Sequence, residues 1–411
     1  MQINSDILIV GTGHAGAQAA IGLRQKGFDG TLTLIGEEPD PPYERPPLSK
    51  DYLAGDKPFE RLLIRPEAFW AERDIGRLQG RRVVEVDPER KVISCDTGEV
   101  LAYGTLIWAA GGQARQLTVD GHDLAGVFSV RNRQDIEHIK AALPKVKRVC
   151  VIGGGYIGLE AAAVLSKLGK QVTVIEAQDR VLARVTGETL SRFFEARHRA
   201  HGVDIRLKTQ VTRLEGQGGQ VTGVRLGSEE LIAAEMVIAG IGIIPSVEPL
   251  LSAGAEGGNG VRVDAFCRTS LPDIYAIGDC AMHANRFADG ALIRLESVQN
   301  ANDQAQTAVK AIMGAPEVYG AVPWFWSEQY DLKLQTVGLS CGHDQAVLRG
   351  DPATRQFSVI YLKGGHVIAL DCVNAPADFM HGRNLVMQRA CLSSDDLADT
   401  AFSLKRSPVR T

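Results

Sequence analysis

One local pattern occurs twice in this chain and constrains it more than any other feature. Ile7 to Gly16 reads ILIVGTGHAG and Cys150 to Gly158 reads CVIGGGYIG, so a short apolar run meets a G-x-G-x-x-G turn whose first glycines stand at 11 and 153. A segment of helical period follows each turn, AQAAIGLRQKGF after Gly16 and LEAAAVLSKLGK after Gly158. Each then leads to a second strand, LTLI at 32–35 and VTVI at 172–175, and to an acid, Glu37 or Glu176. Strand, glycine turn, helix, strand and acid in that order make a dinucleotide-binding βαβ unit. The copies lie too far apart for a solenoid repeat, so we read two Rossmann-like domains in an α/β fold.

The turn brings backbone N–H groups to a pyrophosphate at the positive end of a helix. Gly11 and Gly153 permit the tight turn, Gly13 and Gly155 admit the phosphates, and Gly16 and Gly158 let helix and strand approach. The composition agrees. Glycine makes up 44 of 411 residues, against about 7% in average proteins. Thirteen lie in strings expected to touch dinucleotide: 11, 13, 16, 36, 111, 112, 153, 154, 155, 158, 240, 242 and 278. A carboxylate ending the second strand accepts ribose hydroxyls and repels a 2′-phosphate, so Glu176 favours NADH over NADPH, although Arg180 stands nearby.

Several classes are excluded or disfavoured. A formal charge of -4 argues against a nucleic-acid partner. The longest apolar stretch, near 231–244, is broken by Glu235 and ends at Pro245, so no membrane span is expected. The seven cysteines contain no CxxC and no zinc spacing. Without a signal peptide at the start, the default compartment is the cytoplasm. His198 and His201 share a helix face but lack further ligands, so no metal is expected. Cys280 lacks a partner cysteine and reads as a packed residue.

Between the two repeats, 82–112 reads as short strands with a DTG turn at 96–98, then LIWAAGG. From Pro323 the chain becomes strand-rich and aromatic, which suggests an antiparallel sheet with late helices. The boundaries expected are 1–114 with 244–322 for a discontinuous first domain, 115–243 for the second, and 323–411 for a C-terminal α+β domain. The last residues, LKRSPVRT, read as a frayed basic tail.

Five strings in order give a resemblance over essentially the whole chain: YERPPLSKDYL at 43–53, YIGLE at 156–160, IYAIGDCA at 274–281, RLESVQNANDQA at 294–305 and PWFWSEQYDLKLQ at 323–335. The sequence resembles the FAD-dependent NADH:ferredoxin reductase family of bacterial oxygenase systems, which includes the putidaredoxin, rubredoxin and aromatic-ring dioxygenase reductases. That resemblance implies FAD on the first glycine turn, with His14 and Ala15 beside it and Glu37 at its ribose. Arg45, Pro46 and Lys50 would lie along the flavin, Val83 at the adenine, Ala110, Gly111 and Arg115 near the phosphates, and Gly278 and Asp279 at the ribityl chain. Glu296, Ser297 and Val298 would meet the flavin at a helix start, where N–H groups stabilise negative charge. NADH would lie on Gly153, Gly155, Tyr156, Ile157, Gly158, Glu176, Arg184 and Gly242. Lys50 and Glu160 would pair beside the reacting atoms, and Trp326 would cover the nicotinamide side. Ala110 stands where many relatives carry threonine, and His14 where the place is usually apolar.

The function implied is hydride transfer from NADH to FAD, then single electrons to a [2Fe–2S] ferredoxin serving a cytochrome P450 or ring-hydroxylating dioxygenase. Rubredoxin is the second-ranked acceptor. An NADH oxidase and an NADH-sensing flavoprotein resembling apoptosis-inducing factor are the other readings. A monomer or weak dimer is expected, with Arg61, Arg65, Arg294 and Lys333 as candidates for docking.

Overall fold

Near-continuous apolar strands are what a parallel sheet covered on both faces requires. The computed structural model describes residues 3–406 and divides the chain into two compact units. The first holds the chain up to Arg45 together with Phe59–Gln113 and Ile244–Pro323; the second holds Pro46–Pro58, Ala114–Ile243 and the chain from Trp324 onward.

In the first unit a parallel sheet runs in the order Ile75–Gln79, Leu32–Gly36, Ile3–Val10, Val100–Trp108, and Ile274–Ala276 pairs with the far edge of the last strand. Leu8, Ile9, Leu34, Ile35, Leu106 and Ile107 are fully buried. Helices His14–Gln25 and Val298–Ile312 share one face of this core through Ala17, Ala20, Ala305 and Ala308, small residues that let helices approach closely. The DTG turn, with Gly98 at φ +83°, returns Val92–Cys95 antiparallel onto Val100–Trp108. The chain leaves Ile3–Val10 toward Leu32–Gly36 on one side and later returns as Val100–Trp108 on the other. The first glycine turn sits at that reversal of strand order, the usual place for a ligand in such sheets.

The second unit repeats the design, in the order Asp204–Arg206, Gln171–Ile175, Arg148–Ile152, Met236–Ala239, Val127–Ser129, with helix Tyr156–Lys167 after the second glycine turn. A three-stranded antiparallel sheet covers 211–233. The C-terminal part is a five-stranded antiparallel sheet, ordered Trp324–Gln329, Leu332–Gly338, His366–Val373, Gln356–Lys363, Gln345–Asp351, on which helix Pro376–Gln388 packs. The architecture is therefore α/β, two Rossmann-like domains plus a C-terminal α+β domain. The start of the tail is ordered where fraying is expected: Leu404–Arg406 form a 3-10 turn and Leu404 is buried. The rest of the tail reading lies outside the described residues.

Candidate active site

The two glycine turns have nearly the same backbone. Gly11 and Gly153 take φ +111° and +108°, and a Cβ there would lie 2.1 Å from Ala109 O and 2.4 Å from Gly240 O. A Cβ at Gly16 or Gly158 would lie 1.9 or 2.1 Å from the carbonyl oxygen of the first glycine. Packing thus demands glycine at four places. At the middle glycine it does not: a Cβ on Gly13 would meet only Arg45 Nε at 3.8 Å, and one on Gly155 nothing within 4 Å. Gly13 and Gly155 also cap helices His14–Gln25 and Tyr156–Lys167 without any side-chain cap. Open space before a bare helix N-terminus fits an anionic group such as a pyrophosphate.

In the first unit, side chains from distant segments gather at this turn. Arg45 pairs with Glu38 and donates to the Tyr43 hydroxyl at 3.3 Å. Burial lowers the affinity of its guanidinium for a proton, but Glu38, Tyr43 and Asp279 outweigh it and hold the pKa above its ordinary value. Gly278, at φ +77°, packs against Ala15, and its N–H donates to Gln304 Oε1 at 2.7 Å. Arg294 donates to Asp279 O at 2.6 Å and pairs with Glu296 at 2.9 Å, while its buried Nε has no partner. This arginine therefore faces inward, toward the Asp279 backbone. Ser297 caps helix Val298–Ile312 by accepting from Asn300 N at 3.1 Å. Val83 is buried at the start of its strand. Glu37 is exposed, one residue past Leu32–Gly36. His14 opens its helix half-buried, and Gly111 O accepts from Ser246 N.

In the second unit the centre is an ion pair, Lys50 Nζ to Glu160 Oε2 at 2.7 Å, with side chains 12% and 3% exposed. Lys50 also donates to Pro46 O at 3.1 Å, and Ser49 Oγ donates to the same carboxylate oxygen at 2.6 Å. Ser327 Oγ donates to Glu160 Oε1 at 2.6 Å. Glu160 sits in the second turn of the helix after Gly155, so the glycine turn positions it. Trp324 and Trp326 lie on one face of strand Trp324–Gln329, ring centroids 5.6 Å apart, while the Phe325 ring packs against Tyr156 with centroids 4.6 Å apart and planes tilted by 35°. Ile157, beside Tyr156, is exposed.

Glu176 accepts from Gly154 N at 2.7 Å and from Gln178 N at 2.8 Å, so it is fastened to the turn itself. Arg180 donates to Thr186 O, Ala183 O and Ser191 Oγ, which commits its guanidinium to the 181–191 segment. Arg184 in that segment is exposed. Arg115 is also exposed, and its N–H donates to Gly242 O at 2.9 Å.

Sequence reasoning passed over Ser49, Ser327 and Glu38, because no local spacing marks a hydroxyl or acid whose partner lies in another segment. It set His198 aside as a possible ligand. In the structure His198 is fully buried, with both ring nitrogens hydrogen-bonded, to Gln329 and Tyr330. Cys280 is buried and its thiol is pushed up to about 12 by burial, as suits a packed residue.

A family model described as pyridine nucleotide-disulphide oxidoreductase matches residues 5–311, and one described as reductase C-terminal matches 324–407. The 5,5'-dehydrodivanillate O-demethylase ferredoxin reductase subunit of Sphingobium sp. is 59% identical over 401 residues, 97% of each chain. A ferredoxin–NAD(P)+ reductase of Sphingomonas sp. is 57% identical, again over 97% of each chain. Among solved structures, the covalent putidaredoxin reductase–putidaredoxin complex matches with TM-score 0.94 and 38% identity, covering 98% of both chains.

Proposed function

The chain belongs to the pyridine nucleotide-disulphide oxidoreductase family, and from that premise we propose that it is an FAD-dependent NADH:ferredoxin reductase feeding an oxygenase. FAD, when bound, accepts hydride from NADH and gives up electrons singly. Residues 1–114 and 244–322 hold FAD, 115–243 hold NADH, and 323–411 complete the reductase. The disulphide chemistry in the family's name has no place here, because the seven cysteines are free and the chain has no CxxC.

The observation that carries the reading is the buried Lys50–Glu160 pair. Either charge alone would be costly at that depth, and three further hydrogen bonds from Ser49, Ser327 and Lys50 fix the pair in place. A fixed pair of opposite charges orients reacting partners without itself carrying hydride. In the first unit, Arg45 beside Gly13 neutralises pyrophosphate, and the N–H groups starting helix Val298–Ile312 stabilise negative charge on the flavin. Glu176 orders the second turn and favours NADH. Trp326 lines the route of electrons to a [2Fe–2S] ferredoxin, ranked above rubredoxin. The protein works in the cytoplasm as a monomer or weak dimer. Among the described residues no helix is long and apolar enough to cross a membrane.

The test is steady-state NADH oxidation with a panel of [2Fe–2S] ferredoxins and rubredoxins while salt is titrated. The expected result is fast reduction of one ferredoxin whose association rate falls as salt rises. Fast oxygen consumption without ferredoxin would make the enzyme an oxidase, and slow turnover with every acceptor would make it a sensor.

A further inference from the structure

The Lys50–Glu160 pair is one end of a longer buried chain. Glu160 Oε1 meets Ser327 Oγ at 2.6 Å. Gln329 Nε2 lies 3.2 Å from Ser327 Oγ, Gln329 Oε1 lies 2.8 Å from His198 Nε2, and His198 Nδ1 lies 3.0 Å from the Tyr330 hydroxyl. Ser327, Gln329 and His198 are 1%, 2% and 0% exposed, so water is no alternative partner for them. Ser327 and Gln329 lie two apart on one strand and hence on one face; His198 comes from helix Glu188–Ala200.

The hydrogens in this chain have one consistent arrangement. A carboxylate can only accept, so Ser327 gives its single hydrogen to Glu160. Its oxygen is then left to accept, which turns the Gln329 amide nitrogen toward it. The amide oxygen therefore faces His198, and Nε2 must carry the ring hydrogen. Burial pulls the His198 pKa down to about 4, so at neutral pH the ring has one hydrogen and Nδ1 keeps its lone pair. Tyr330 donates into that lone pair. Four hydrogen bonds thus point the same way, from half-buried Tyr330 to the carboxylate, and dipoles aligned in series reinforce one another.

Resting on the reductase reading above, we propose that Ser327, Gln329 and His198 are positioning residues for the hydride step, a one-way donor chain that fixes the Glu160 carboxylate and through it the Lys50 ammonium. Ser327 and Gln329 of the C-terminal sheet and His198 of helix Glu188–Ala200 then act on the reacting centre only through Glu160. No sequence pattern marks such a chain, because its links come from positions 160, 198 and 327–330.

The decisive measurement is 15N NMR of the flavin-loaded protein with labelled histidine. The expected result at pH 7 is a neutral Nε2–H tautomer for His198, with ring nitrogen signals that move in Glu160→Gln although three hydrogen bonds separate the two residues. An Nδ1–H tautomer, or signals that ignore Glu160→Gln, overturns the proposal. In stopped flow, Ser327→Ala should slow flavin bleaching at saturating NADH about tenfold, the size expected for losing one hydrogen bond to a charged group, and Gln329→Leu, which loses only bonds to neutral groups, should slow it less. The KM for NADH should stay within about twofold, since no nucleotide contact is lost. Ser327→Thr should recover most of the rate because it keeps the hydroxyl. Wild-type rates in Ser327→Ala, or a threonine variant no faster than alanine, would also overturn the proposal. Wild-type enzyme that NADH fails to bleach would bring down the reductase reading itself. That failure is distinguishable, because the nitrogen signals need no NADH.

Discussion

The two glycine turns share a backbone and differ in how they are furnished. In both, the first glycine donates to the end of the second strand, Gly11 N to Ile35 O and Gly153 N to Ile175 O. That register aligns Gly36 with Glu176 and Thr12 with Gly154. Large and small have changed places. In the first unit Thr12 fills the space over Gly36, where a Cβ would come within 2.7 Å of it, and the acid, Glu37, stands one residue further on and exposed. In the second, Gly154 leaves room for Glu176 to reach back and accept its N–H. The first turn has a cation, Arg45, near its middle glycine, whereas a Cβ at Gly155 would meet nothing. Helix–strand packing dictates the shared geometry, and side chains from outside the motif decide what each turn prefers. An arginine held at the first turn suits a cofactor kept in place; an open second turn suits a nucleotide that comes and goes.

Substitutions at the crowded glycines should separate the two turns most sharply. Gly16→Ala and Gly158→Ala each force a Cβ to within 1.9 or 2.1 Å of a backbone oxygen. Each should cost more than about 4 kcal/mol if the backbone does not yield, since overpacking against rigid atoms is among the few causes of losses that large. Gly16→Ala should yield colourless or insoluble protein. Gly158→Ala should keep its flavin absorbance and lose reduction by NADH. Equal flavin loss in both would erase the division of labour between the turns.

The second unit also carries two buried titrating groups with opposite pH slopes. Burial lowers His198 from 6.5 to about 4, so its contribution is fully present above pH 6.5 and is lost as pH falls toward 4. Burial raises Asp371 from 3.8 to about 6, against opposing hydrogen bonds from Thr186 and Tyr361, so its contribution is present below 3.8 and is lost as pH rises through 6. Each is worth about 3 kcal/mol at its extreme, and between pH 4 and 7 they largely cancel. Asp371→Asn removes one slope. Urea midpoints followed by tryptophan fluorescence should then fall as pH drops from 7 to 4, more steeply than in wild type. Parallel profiles for the two proteins would show that these groups do not titrate as their burial requires.

Moving the exchanged residue tests the side-chain comparison directly. Gly154→Thr places a Cβ 3.0 Å from both Glu176 Oε2 and Val181 Cγ1. The carboxylate must move, and the KM for NADH should rise about tenfold, the worth of a hydrogen bond to a charged group, with flavin content unchanged. Glu176→Gln should raise it less, because the amide oxygen still accepts from Gly154 N.

What could be read from the sequence follows from what is local. The glycine turns, the start of helix Val298–Ile312 and the paired faces of Trp324 and Trp326 depend on neighbours within a few residues, so periodicity and capping rules reach them. The site depends on chain segments meeting. Lys50 and Glu160 are 110 apart and Glu160 and Ser327 are 167 apart, and only the family resemblance pointed to the first pair. Glu38 carries no such local mark, because its pairing with Arg45 depends on the bend at 37–40 that brings 38 and 45 together.

The smallest effect on stability should come from the middle glycines, and it tests whether their space is reserved for ligand. Gly13→Ala and Gly155→Ala meet no protein atom closer than 3.8 Å, and both residues have φ near -75°, which alanine adopts freely. The loss in the ligand-free chain should be within about 1 kcal/mol, the usual difference between glycine and alanine at a helix cap. Binding should suffer far more than stability, since each methyl group occupies the approach to the helix N-terminus. Gly13→Ala should show weaker flavin retention on dilution, and Gly155→Ala a raised KM for NADH with flavin held as before. If either variant instead unfolds as readily as Gly16→Ala, its glycine serves packing, and the space before that helix has no claim to be a ligand site.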